Sequence, residues 1–102
     1  MDLNMMKQAM QLKSNLEKAQ KELEKMKVEA ESGNGAVKVT ANGKQKILSI
    51  KIAPEAVEAG KAADLEKLVF KAVTGALDKS KELADEKLKK LTGGMKIPGL
   101  TD

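Results

Sequence analysis

Apolar residues follow two different periods along this chain, and each change of period marks a new element. From Asn4 to Met26 they recur at steps of three and four. Met5, Leu12, Ala19 and Met26 form one row, and Ala9, Leu16 and Leu23 form the other. This heptad seam predicts a single long amphipathic helix. After it the period falls to two. Val28-Glu29-Ala30-Glu31-Ser32 alternates, as do Val37, Val39 and Ala41 with Lys38 and Thr40, and Leu48, Ile50 and Ile52 with Ser49 and Lys51. Three strands are expected, over 28–32, 36–41 and 44–52. Gly33-Asn34-Gly35 supplies the first turn. Asn42-Gly43 reads as a two-residue type I′ turn, because both of its central positions need positive φ. That turn pairs Ala41 with Lys44, Val39 with Lys46 and Val37 with Leu48, so Val37, Val39, Leu48, Ile50 and Ile52 share one face.

Helical spacing then returns. Pro54 lacks a donor N–H, so it ends the last strand and suits the first turn of a short helix over Glu55–Glu58, which Gly60 interrupts. Asp64 is the expected N-cap of a second long helix reaching Leu91. Its stripe includes Leu65, Leu68, Val69, Ala72, Val73 and Ala76. Gly75 within it costs about 1 kcal/mol relative to Ala, which signals another backbone close by. Gly93-Gly94 is the expected terminator, and residues 95–102 form a tail expected to be flexible.

These elements specify an α+β protomer: one domain over 1–94, with helices layered on a three-stranded antiparallel meander. Leu12, Leu16, Leu23, Val37, Val39, Leu48, Ile50, Ile52, Leu68, Val69, Ala72 and Ala76 are expected to fill its core and a dimer interface. A seam about six turns long outruns three short strands, so part of it should meet a second chain.

Composition removes most chemistries. Among 102 residues there is no Cys and no His, which excludes thiol chemistry, disulfides, most zinc sites and an imidazole base. Ser14, Ser32, Ser49 and Ser80 therefore have no histidine partner. Carboxylates such as Asp85-Glu86 and Glu22/Glu24 sit beside lysines on charged helix faces. Neither Gly33-Asn34-Gly35 nor Gly93-Gly94 joins a strand to a helix bearing a Lys-Ser/Thr pair, as a phosphate loop does. No enzyme, cofactor or small-molecule substrate is expected. No apolar run approaches about 20 residues, and the N-terminus is not a signal peptide, so a soluble cytoplasmic protein is expected.

All 19 basic residues are lysine, and the formal net charge is +4. Without arginine there is no planar fork for guanine edges. With Phe70 as the single aromatic residue there is no platform for stacking bases. Nucleic-acid binding by this chain would thus be duplex binding through phosphates. Lys7, Lys13 and Lys18 on the first helix and Lys79, Lys87, Lys89 and Lys90 on the second are the primary candidates. Lys38, Lys44, Lys46 and Lys51 on the meander are the secondary ones. Glu17, Glu22, Glu24, Asp85 and Glu86 interleave with them, which keeps open a dimeric protein-interaction module with merely solubilising lysines. A membrane-surface role is disfavoured, because neither helix carries an aromatic, bulky apolar face.

The order long helix, VKVTANG, ILSIKIAPE, long helix, GGMKIPG resembles the YbaB/EbfC family of bacterial nucleoid-associated proteins over nearly the whole chain. Gly35–Gly43, Ile50–Pro54 and Gly93–Gly99 carry the likeness. The resemblance implies a tight homodimer whose long helices project like tweezers. It also implies a nucleoid location and duplex DNA binding that alters DNA conformation, with roles in nucleoid organisation, DNA protection and gene regulation. Proteins of that family often carry arginine among their basic residues and this chain has none, which leaves phosphate contact intact and weakens sequence readout.

Overall fold

The computed structural model describes residues 2–91. Helix α1 spans Leu3–Lys25, followed by strands β1 (Lys27–Ser32), β2 (Val37–Asn42) and β3 (Ile47–Ile52). A single 3-10 turn, Pro54–Ala56, precedes helix α2 (Ala62–Leu91). Asp2 caps α1, its Oδ1 accepting from the Met5 N–H at 2.8 Å. Two helix starts differ from the sequence reading. The short helix over Glu55–Glu58 is replaced by the 3-10 turn, and Gly60 follows at φ 83°. Helix α2 begins at Ala62, so Asp64 lies in its first turn rather than at its cap, where a carboxylate still complements the helix dipole. Gly93-Gly94 and the 95–102 tail lie outside the described residues.

The sheet is an antiparallel meander of order β1-β2-β3. Its second hairpin differs from the expected one. Val39 lies opposite Ile50 rather than Lys46, Val37 opposite Ile52 rather than Leu48, and Ala41 opposite Ile47 rather than Lys44. A bulge beside Thr40/Ala41 leaves Leu48 without a partner of its own. The cause is the side chain of Asn42. This residue stays in β2, and its Oδ1 accepts from the Lys44 and Lys46 amides at 2.9 and 3.1 Å. The connection is therefore four residues long, and Gln45, not Gly43, takes the left-handed conformation (φ 62°).

Gly43 is needed for a different reason. Its N–H donates to the Leu23 and Met26 carbonyls at 2.8 and 3.1 Å, tying the end of α1 to the hairpin. A Cβ there would stand 2.7 Å from the Leu23 oxygen.

Helix α2 lies across β1 and β2. Ala72 and Ala76 pack on Ala30, Val37, Val39 and Ala41, and all six are buried. A Cβ on Gly75 would meet the Ala30 Cβ at 3.2 Å, so small residues set the close approach of helix to sheet. Helix α1 buries only Ala19 and Leu23. Among the described residues nothing covers its N-terminal half, which stretches the molecule to 68 × 21 × 16 Å. The radius of gyration is 18.7 Å, against about 13 Å for a compact chain of 100 residues.

Because Gly43 is outside the left-handed region, alanine is allowed by the backbone and refused only by the Leu23 contact. Gly43→Ala should lower unfolding stability by about 1–3 kcal/mol, read as a lower urea midpoint. An unchanged midpoint would mean that α1 is not anchored there.

Candidate nucleic-acid interface

The β2–β3 connection fixes where the two helices stand. Ser80 on α2 is fully buried. Its Oγ donates to the Asn42 carbonyl at 2.6 Å and accepts from the Gln45 N–H at 2.8 Å. Gly43 holds α1 from the same four-residue loop. Further out, the Lys87 ammonium meets the Glu22 carboxylate at 2.6 Å. Asn15 and Leu91 line one shared crevice, so the segment of α1 before Asn15 extends past the described end of α2. Every residue from Leu3 to Ser14 is exposed.

The faces of α1 differ sharply in charge. Lys7, Gln11, Ser14, Lys18, Lys21 and Lys25 recur at steps of four and three, each two positions beyond a seam residue. Two positions are about 200° of turn, so this row faces away from the seam. All six are exposed, and none is acidic. From Lys7 to Lys25 the row extends about 27 Å, at 1.5 Å per residue. The acids of α1 lie beside it: Glu22 reaches toward Lys87 on one flank, while Glu17 and Glu24 share the other flank with Lys13.

Other candidate lysines have different surroundings. The Lys79 ammonium donates to the Glu29 carbonyl at 2.8 Å. Lys87 is held by Glu22, and Lys90 lies 3.9 Å from Glu86. Lys89 shares the last turn of α2 with Lys90. On the meander, Lys38 stands directly opposite Lys51 and 3.9 Å from Glu31. Lys44 and Lys46 lie within the β2–β3 connection. The structure thus aligns Lys7 and Lys18 with Lys21 and Lys25, two residues that sequence reasoning passed over. Their four-three spacing was the available signal.

The hydrogen bond from Lys87, reinforced by its charge, holds the Glu22 pKa below the ordinary glutamate value. Among the described residues no cluster of three or more Asp, Glu, His or Cys is arranged to hold a metal ion. None of the described helices is long and apolar enough to cross a membrane.

The sequence model of the YbaB/EbfC DNA-binding family matches residues 2–95. A nucleoid-associated protein of Thermoanaerobacter pseudethanolicus is 43% identical over 97 residues, covering 95% of this chain and 87% of its own. One from Caldanaerobacter subterraneus is 44% identical over 97 residues, with the same coverage. One from Anaeromyxobacter dehalogenans strain 2CP-1 is 45% identical over 96 residues, covering 94% and 93%. In fold, the chain is similar to the crystal structure of an uncharacterized Helicobacter pylori protein, with a TM-score of 0.63 and 19% identity. That likeness covers 83% of this chain and 94% of the other.

Since the Glu22 pKa is lowered in the fold, its pairing with Lys87 stabilises the protein above the ordinary glutamate pKa. That contribution is lost as pH falls through the lowered value. A carboxyl NMR titration should place the Glu22 midpoint below the ordinary glutamate value, and Lys87→Met should return it toward that value. A midpoint unmoved by Lys87→Met would refute the pairing.

Proposed function

The chain belongs to the YbaB/EbfC DNA-binding family, and from that premise we propose that it binds duplex DNA as a homodimer through the acid-free face of α1. The observation that carries this reading is the row Lys7, Gln11, Ser14, Lys18, Lys21 and Lys25. A polyanion meets four cations and two neutral hydrogen-bonding side chains along it, and the nearest carboxylates, such as Glu22 within electrostatic reach of Lys18, lie on the flanking rows. The helix presents them as one rigid edge. Lysine ammoniums contact phosphates as point charges, so affinity depends on salt and little on sequence. Phe70 lies on α2, away from this row, and offers the arm no stacking surface. Lys13 and the lysines of α2 and the meander come second, because acids or backbone carbonyls stand close to most of them.

The uncovered side of the sheet supports dimerisation. Directly opposed residues of antiparallel strands share a face, so Ile50 and Ile52 look the same way as buried Val39 and Val37. Yet they are 46% and 39% exposed, because α2 covers β1 and β2 and barely reaches β3. Ala62, Leu65, Val69 and Val73 edge a groove of about 530 Å³ with Phe70, which is 74% exposed. Val73 lies two turns before Ser80 on the same helical stripe, and Ser80 bonds the β2–β3 connection. The groove therefore opens toward β3. A second copy seated there by a two-fold axis would complete both cores and double the formal charge of +4. Four projecting helix ends would then grip the duplex. Roles in nucleoid organisation, DNA protection and gene regulation, at a cytoplasmic nucleoid, follow from such a non-sequence-specific clamp.

Neutralising about four to six phosphates gives a slope near −4 to −5 for log affinity against log salt. Fluorescence anisotropy on unrelated duplexes should return that slope. Lys21→Gln should lessen it by about 1 for each arm engaged. Salt-independent binding would sink the phosphate reading.

Sedimentation should give twice the 11.0 kDa chain mass, and Ile50→Lys should give a folded single chain. A wild-type monomer at micromolar concentration would exclude the dimer.

A further inference from the structure

The third row along α1 changes character partway. Leu3, Met6 and Met10 begin it, and the same four-three steps then continue through Lys13, Glu17, Gln20 and Glu24. Only the part beyond the described end of α2 is apolar. Leu3, Met6 and Met10 are 66%, 48% and 70% exposed. They do not belong to the seam, which turns Ala19 and Leu23 inward. Nor do they face α2, because Glu22 points there from the opposite flank of the lysine row. Three long apolar side chains thus stand in water at the tip of the arm, directly beside Lys7.

We infer that Leu3, Met6 and Met10 form a wedge that enters duplex DNA between base steps and kinks it while the lysine row holds the adjoining phosphates. This rests on the duplex-binding reading. Charge selects the occupant. The wedge adjoins Lys7 and Lys13, and the one acid in that part of the helix, Asp2, is engaged as the N-cap. A second copy docked wedge to wedge would bring those cations together. A duplex brings anions instead, and a partly unstacked step exposes an apolar slot that fits a thioether or isobutyl group. Minor-groove proteins insert Leu and Met in this way, kinking DNA by about 20–90°. The unbranched, polarizable methionines adapt to differing steps, which suits a contact without sequence readout.

The test is the full chain carrying Leu3→Gln, Met6→Gln and Met10→Gln, with helicity checked by circular dichroism. Wild-type protein should shorten the end-to-end distance of a doubly labelled duplex, measured by energy transfer, and raise the fluorescence of 2-aminopurine within it. The variant should keep the salt slope, bind several-fold more weakly and lose both signals. Retained bending and unstacking in the variant, or wild-type binding to straight DNA, overturns the wedge. A variant that changes sedimenting mass and leaves bending intact assigns the residues to a protein contact, which also overturns it. So does wild-type binding to phosphatidylglycerol vesicles that the variant loses with bending unchanged. Failure of wild-type protein to bind any duplex, seen separately by anisotropy, refutes the underlying reading instead.

Discussion

The architecture hangs on one small polar junction, the loop Gly43–Lys46 together with Asn42 and Ser80. A buried serine hydroxyl bonds the Asn42 carbonyl at 2.6 Å and the Gln45 amide at 2.8 Å, two groups that meet each other within the loop only at 3.3 Å. An asparagine side chain takes two more amides, and a glycine N–H reaches the end of α1. Unpaired polar groups in this place would each cost about 1–3 kcal/mol. The hairpin, the long C-terminal helix and the N-terminal arm are thus located by the same few hydrogen bonds. The apolar contacts of α1 are too sparse to fix its direction alone, since only Ala19 and Leu23 are buried. Shifting this loop would re-aim the lysine row relative to the sheet.

The elements were legible because each has its own period. Heptad spacing announced α1, alternation announced the strands, and small residues at Ala72, Gly75 and Ala76 announced close packing on the sheet. The hairpin register was not legible. Asn-Gly carries a strong local preference, but here the asparagine side chain bonds forward into the loop and the glycine is held by a contact with Leu23, twenty positions earlier. A tertiary requirement used the same dipeptide that a local turn would have used. The two registers differ by an even number at Val37 and Val39, so the pattern of faces survived although the partners changed.

The segregation of the lysines was only partly legible for a related reason. Counting lysines by segment gave weight to charge and none to direction. On α2, Lys79, Lys87 and Lys90 stand beside the Glu29 carbonyl, Glu22 and Glu86, whereas on α1 the acids fall on flanking rows and leave one row without any. Interleaved charge in sequence became segregated charge in space. The exposure of Ile50 and Ile52, by contrast, could not be read from alternation, which marks a face as apolar without saying how wide a single helix is.

Helix α1 ends at Lys25 and β1 begins at Lys27, with Met26 alone between them. Mechanically this is a stiff beam welded to the edge of a sheet. A load at the tip, some twenty residues out, has no flexible linker in which to dissipate. It arrives as torque on β1 and on the Gly43–Leu23 bond, about 30 Å from where it was applied. Tension or bending in whatever the arm holds would be felt first by the strand pairing at that edge.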